Sequence, residues 1–224
     1  MSGREAILGK VRNALAANGS ASDRQQVVTE RLETAPKGIV PARGKLKPAQ
    51  RVALFRSMAE QVSCTVRQVK KRDTVPRAVM EYLRSKNLPA ALRMGDDRRL
   101  TRLPWADFHT LDIKTGPSDG DDLSGISYAS GGIAETGTVM LQSGSDIPTT
   151  ISFLPEHHIV VVDAKDVAGD LETLYAKLRR KFGRGGMPRV VNLITGPSRS
   201  GDVEQKIVLG AHGPRAVHII IVDA

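Results

Sequence analysis

The feature that most constrains this chain is Ile159-Val160-Val161-Val162, four consecutive β-branched residues. Such a run suits a strand buried on both faces, the usual condition in a parallel sheet covered by helices. The residues C-terminal to it have the matching grammar. A helix fits residues 166–182 and stops at Gly183, a strand fits 190–194, a helix fits 200–209 after a Gly/Pro/Ser turn, and a final strand fits 217–222. Alternation of this kind predicts an α/β fold with a mainly parallel sheet and right-handed crossovers. The first of these helices carries Asp170 and Glu172 early and Lys177, Arg179, Arg180 and Lys181 late. That distribution complements the helix dipole and explains the basic run without a ligand.

Upstream, Val52, Phe55, Met58, Ala59 and Val62 form the apolar stripe of a helix that Pro48 can open. A second helix fits 75–85 and a short strand 90–94. Residues 5–16 place Ile7, Leu8, Val11, Ala14 and Leu15 on one side, as in a short amphipathic helix. Between them, residues 17–46 pass through Asn18-Gly19-Ser20, Pro36, Gly38, Pro41 and Gly44 and have the composition of a flexible linker. The expected organisation is an N-terminal helix and linker over 1–46 and one α/β domain over 47–224. A total of 224 residues suits that division.

Composition removes several classes of function. Hydrophobic residues at 40% exclude a wholly disordered chain. A single cysteine, Cys64, excludes an internal disulfide framework and any iron-sulfur cluster ligated by this chain's thiols alone; a buried, apolar role is expected for it. Met1-Ser2-Gly3-Arg4-Glu5 is charged at once and opens no long apolar run, so neither a signal peptide nor a membrane span is expected, and the expected compartment is the cytoplasm. Residues 1–116 hold 23 of the 33 Lys and Arg, so basicity belongs to the first half. Aromatics at 4% and the lack of a recognisable binding motif argue for solubility and steering rather than nucleic-acid binding.

Two segments can carry chemistry. Thr195-Gly196-Pro197-Ser198-Arg199-Ser200-Gly201-Asp202 leaves a predicted strand for a predicted helix, where backbone amides and a helix N-terminus favour an anion. Asp202 stands where a Walker loop requires Lys, which excludes an NTPase loop. The alternative makes Ser200 or Asp202 a plain helix cap and Arg199 a surface charge. The second segment, Gly131-Gly132-Ile133-Ala134-Glu135-Thr136-Gly137-Thr138, wedges one carboxylate among small residues, so Glu135 is a candidate nucleophile or general base; an exposed turn is the alternative. By the rule for open α/β sheets, both segments are expected to converge on one site at the carboxyl edge of the sheet. His157 and His158 are adjacent and on a strand point to opposite faces, which argues against a shared metal. His212 falls in a helix-to-strand connection where it can cap backbone, and His218 is expected to pack in the final strand. Gly116 to Asp122 lacks EF-hand spacing and suits a solvated turn.

Gly132 to Thr138, Leu154-Pro155, His158 to Val161, Thr195 to Ser200 with Asp202 and Glu204, Leu209-Gly210 and His212-Gly213-Pro214 together resemble the LUD-domain family over roughly 47–224. The resemblance implies a three-layer α/β/α fold of the NagB/RpiA/CoA-transferase-like group. It also implies a role in oxidising L-lactate to pyruvate beside two iron-sulfur partner proteins. On that pattern, Glu135 is the candidate catalytic residue. Thr136, Gly137, Thr138, Gly196, Ser198, Arg199, Ser200, Asp202, Glu204 and His212 are the candidate ligand-binding set for a small anion. No dinucleotide or flavin fingerprint is present, so no cofactor is expected on this chain and the iron-sulfur clusters belong to the partners. The competing readings are a CoA-transferase-like enzyme that handles acyl or phosphoryl groups through a Glu nucleophile and a basic nucleic-acid-binding module.

Overall fold

The computed structural model of the chain describes residues 3–16, 20–183, 185–203 and 206–223. The chain divides into two units, Met1–Ile39 and Val40–Ala224. Among the described residues, no helix is long and apolar enough to cross a membrane.

The first unit holds α1 (Gly3–Ala16), as the periodicity predicts, and α2 (Ala21–Thr34), which lies inside the stretch assigned to a linker. The correction has a local cause. Ser20 is a helix N-cap: its hydroxyl accepts from the Asp23 N–H at 3.1 Å, and the Asp23 carboxylate accepts from the Ser20 N–H at 3.2 Å. This reciprocal capping box opens a helix directly after residues that otherwise signal a turn. Ala35, at φ 42°, closes it in a left-handed conformation just before Pro36.

The second unit runs in chain order through α3 (Pro48–Gln61), β1 (Thr65–Val69), α4 (Val75–Ser85), β2 (Ala91–Met94), α5 (Arg98–Thr101), β3 (Asp112–Thr115), β4 (Ser124–Tyr128), β5 (Gly131–Ile133) and β6 (Thr138–Gln142). It continues through β7 (His157–Asp163), β8 (Val167–Ala168), α6 (Leu171–Phe182), β9 (Val191–Ile194), β10 (Arg199–Val203), β11 (Lys206–Leu209) and β12 (Ala216–Val222). Six strands form a wholly parallel sheet in the order β1-β12-β7-β4-β2-β3. The fold is therefore α/β, with a parallel central sheet flanked by helices.

Period-two alternation along β7 and β12 builds both faces of this sheet. Ile159, Val161, Ile220 and Val222 pack with Val79, Tyr82 and Leu83 of α4, while Val160, Val162, Ile219 and Ile221 pack with Phe55 and Ala59 of α3. A second sheet, ordered β8-β5-β6-β9, shares α3 through Val139, Leu141 and Val167 and packs Ile133 and Met140 against Leu174 and Leu178 of α6.

Two expectations fail here. The strand after α6 is not part of the parallel sheet: β9 pairs antiparallel with β6, Val139 opposite Ile194. Periodicity fixes a strand's existence but not its neighbour. The segment assigned to a helix over 200–209 is the antiparallel hairpin β10–β11, with Arg199 opposite Leu209 and Ser200 opposite Val208. Ser-Gly-Asp is poor helix material and Ile207-Val208 is β-branched, so pairing overrides the helical spacing of the apolar residues. α6 begins at Leu171, later than expected, because a one-turn 3-10 segment and β8 intervene.

Candidate functional site

The loop after β9 lies at the amino edge of the parallel sheet, not at its carboxyl edge. The Ser198 N–H donates to Pro214 O at 2.8 Å, just before β12 begins, and Ser198 Oγ accepts from the His212 N–H at 3.3 Å. Arg199 turns toward the start of β1, where Nη2 donates to Ser63 Oγ at 2.6 Å and to Val62 O at 3.1 Å. Gly196, at φ 83°, sits against Val62, where a side chain would strike the Val62 carbonyl oxygen. With a hairpin in place of the helix, the loop has no helix N-terminus to offer an anion. What it has instead is a cavity of about 610 Å³, lined by Leu209, Gly210, Ala211, His212 and Gly213 together with Phe153, Leu154, Glu156 and Arg215. Arg215 and Glu156 pair across 3.4 Å at an exposed position, and Phe153, Leu154 and Leu209 present apolar surface. Ser200 is half-buried on β10; the Asp202 side chain and all of Glu204 lie outside the described residues.

Glu135 is buried rather than exposed in a turn, with a relative accessibility of 6%. Its Oε1 accepts from the Leu171 N–H at 3.2 Å, the first residue of α6, and Asp170 beside it caps the same helix through the Thr173 N–H at 2.7 Å. Two carboxylates thus serve the positive end of α6. Glu135 Oε2 is buried and has no hydrogen-bond partner among the described residues. The two predicted segments do meet, through hydroxyls: Thr136 Oγ1 to Thr138 Oγ1 and Thr138 Oγ1 to Thr195 Oγ1, each 2.7 Å. Gly137, at φ 67°, brings that turn against the backbone of Met58 and Ala59. The charged groups diverge from this junction. Glu135 addresses α6, and Arg199 addresses the start of β1.

The carboxyl edge carries residues that sequence reasoning missed. Asp163, the last residue of β7, accepts from Arg72 Nη2 at 2.5 Å and from the Tyr128 hydroxyl at 2.7 Å. Burial, reinforced by this carboxylate, pushes the Tyr128 phenol well above its ordinary range. Arg99 donates through Nη2 to Asp97 Oδ2 at 2.6 Å and to Tyr128 O at 3.1 Å, and through Nη1 to Ala129 O at 3.2 Å, while its guanidinium lies 4.4 Å over the Tyr128 ring. A polar residue closing a continuous β-branched run, as Asp163 does, was the available signal.

Histidines behave largely as expected. His157 Nδ1 lies 2.8 Å from the Tyr82 hydroxyl on one face, and His158 Nε2 lies 3.0 Å from Ser127 Oγ on the other. His218 stacks on Tyr82 with ring centroids 4.2 Å apart. Cys64 is buried, and burial pushes its thiol up to about 11, far from a reactive thiolate. The stretch ending at Asp122 is exposed at Pro117, Asp119, Gly120 and Asp121, as expected of a solvated turn, but its last residue is anchored. Asp122 is largely buried and accepts from Arg93 Nε at 2.7 Å and Ser118 Oγ at 2.8 Å.

Residues 123–222, which include β4 to β12, match the LUD domain family. That segment is similar to a LUD domain. Proteins similar to the chain include lactate utilization protein C of Geobacillus sp. (strain WCH70), 33% identical over 135 residues, covering 56% of each chain. Lactate utilization protein C of Bacillus subtilis (strain 168) is 36% identical over 101 residues, covering 44% of this chain and 42% of that protein. The chain thus spans about half the length of the curated relatives it matches. In three dimensions it resembles a DUF162 family protein from Deinococcus radiodurans, with a TM-score of 0.59 and 17% identity over 79% of this chain and 99% of that one. That likeness supports the fold alone. The 610 Å³ cavity is lined wholly by residues within the matched segment.

Proposed function

We propose that the chain is a non-redox component of a system that oxidises L-lactate to pyruvate, and that its LUD domain engages a small anionic ligand or an iron-sulfur partner protein at the amino-edge cavity. The observation that carries this reading is the composition of that cavity. It encloses about 610 Å³, it is built from residues of the LUD-like segment, and it joins the Ser198 loop to His212 and Arg215. Arg215 supplies positive charge, Gly210 and Gly213 leave backbone open to close approach, and Phe153, Leu154 and Leu209 supply apolar contact. Electron transfer is assigned to partners because the one thiol here is buried and protonated.

The test is lactate-dependent dye reduction by the purified chain, alone and with its iron-sulfur partners. No reduction is expected from the chain alone, and reduction is expected from the mixture. Turnover by the chain alone, or by the partners without it, contradicts the proposal.

One observation favours a second reading, in which Glu135 is an acyl-accepting nucleophile: its Oε2 is buried and unpaired. A carboxylate oxygen would attack a CoA thioester carbonyl, the C–S bond would break, CoA would leave as the thiolate, and a mixed anhydride would remain on Glu135. Intact-mass analysis after incubation with an acyl-CoA tests this. A single acyl adduct that disappears in Glu135→Gln supports it, and an unchanged mass removes it.

A further inference from the structure

We infer that the carboxyl edge of the parallel sheet holds a separate binding site for a short aliphatic carboxylate, formed by Arg99, Lys177 and Lys181. A cavity of about 190 Å³ opens where the chain leaves the ends of β4 and β7 for the second sheet. Its lining combines these three cations with Ser130, Asp166 and the buried apolar side chains of Met140, Leu174 and Leu178. This is the edge at which open α/β sheets receive ligands.

The cations are held in place with donors to spare. Arg99 commits Nε and both Nη2 hydrogens to Asp97 and Tyr128 O, and one Nη1 hydrogen to Ala129 O, which leaves one of its five N–H groups for a ligand. Lys181 gives one of its three to Gln142 Oε1 at 3.0 Å, and Gln142 is itself buried. Lys177 faces Asp166 at 3.7 Å, an ion pair longer than a hydrogen bond. Asp97 balances Arg99 and Asp166 balances Lys177, so the pocket keeps one net positive charge, that of Lys181, together with spare donors, which selects an anion.

Shape and walls narrow the class. The cavity is below the range of drug-sized sites, so the ligand is small. Met140, Leu174 and Leu178 form an apolar wall that offers nothing to the oxygens of inorganic phosphate but contacts a methyl or ethyl group. One charged end and one apolar end describe a short-chain carboxylate. This inference does not depend on the lactate reading, because it concerns equilibrium binding by the chain alone.

Isothermal titration of the full chain with butyrate, and separately with inorganic phosphate, at low ionic strength tests it. Saturable one-to-one binding of butyrate is expected, at least about tenfold tighter than phosphate, with Lys177→Ala and Lys181→Ala each weakening it about tenfold. Arg99→Ala strips Asp97 of its partner and can fail to fold, so the lysine variants, whose melting is checked first, decide the matter. Three results overturn the inference: no saturable butyrate signal, butyrate affinity unchanged in both folded lysine variants, or phosphate binding at least as tightly as butyrate.

Discussion

Lowering the pH from about 7.5 to about 5 is expected to remove about 4 kcal/mol of folding stability, roughly 2 kcal/mol from each of two buried histidines. Burial holds His158 down to about 3 and His218 down to about 4, against an ordinary value of 6.5. His158 is 0% exposed and His218 7%, so neither is screened by solvent. The direction of the shifts sets the sign. As pH falls through 6.5 the unfolded imidazoles take up protons and the folded ones do not, so stability is lost from there down to the folded values. Urea unfolding at the two pH values measures this directly, and His158→Asn should halve the loss. An unchanged midpoint with an unchanged slope would mean that the rings are protonated inside the fold.

The second large effect concerns two glycines at backbone crossings. Gly137→Ala is expected to cost about 3 kcal/mol or more, combining overpacking with a left-handed backbone. Gly137 has φ 67°, and a Cβ there would overlap the Ala59 amide nitrogen on α3. Gly169→Ala should cost a similar amount for the steric reason alone, because its Cβ would overlap the Gly44 carbonyl oxygen. Gly116 supplies the contrast: at φ 114° with nothing within 4 Å of a Cβ, its substitution carries only the conformational cost of about 1–2 kcal/mol. Thermal melting of the three variants should rank Gly116→Ala as the mildest. Equal losses would show that the close approaches relax freely.

What the sequence discloses about this molecule is what periodicity and burial encode locally. The β-branched run of β7, the helix Val75–Ser85 and the strand before the C-terminus need only nearest-neighbour information, and each is found where the pattern puts it. The placement of β9 beside β6, and of β10 against β11, depends on pairing choices that the pattern leaves open. The site divides in the same way. The link between the Glu135 and Thr195 segments is real but runs through Thr138, because hydroxyl contacts across 57 residues leave no trace in spacing. Arg72 meets Asp163 across 91 residues and Arg99 meets Ala129 across 30, so the carboxyl-edge cluster exists only once the sheet has assembled.

The most direct test of the proposed site at the amino edge is lactate-dependent dye reduction by the chain mixed with the iron-sulfur proteins proposed as its partners, comparing the natural sequence with Ala211→Trp. Ala211 lines the 610 Å³ cavity and is exposed, so an indole there fills the space without disturbing the core. A fall of at least about tenfold in rate at unchanged melting temperature is the predicted result. Full activity in the folded variant would contradict the assignment of function to this cavity.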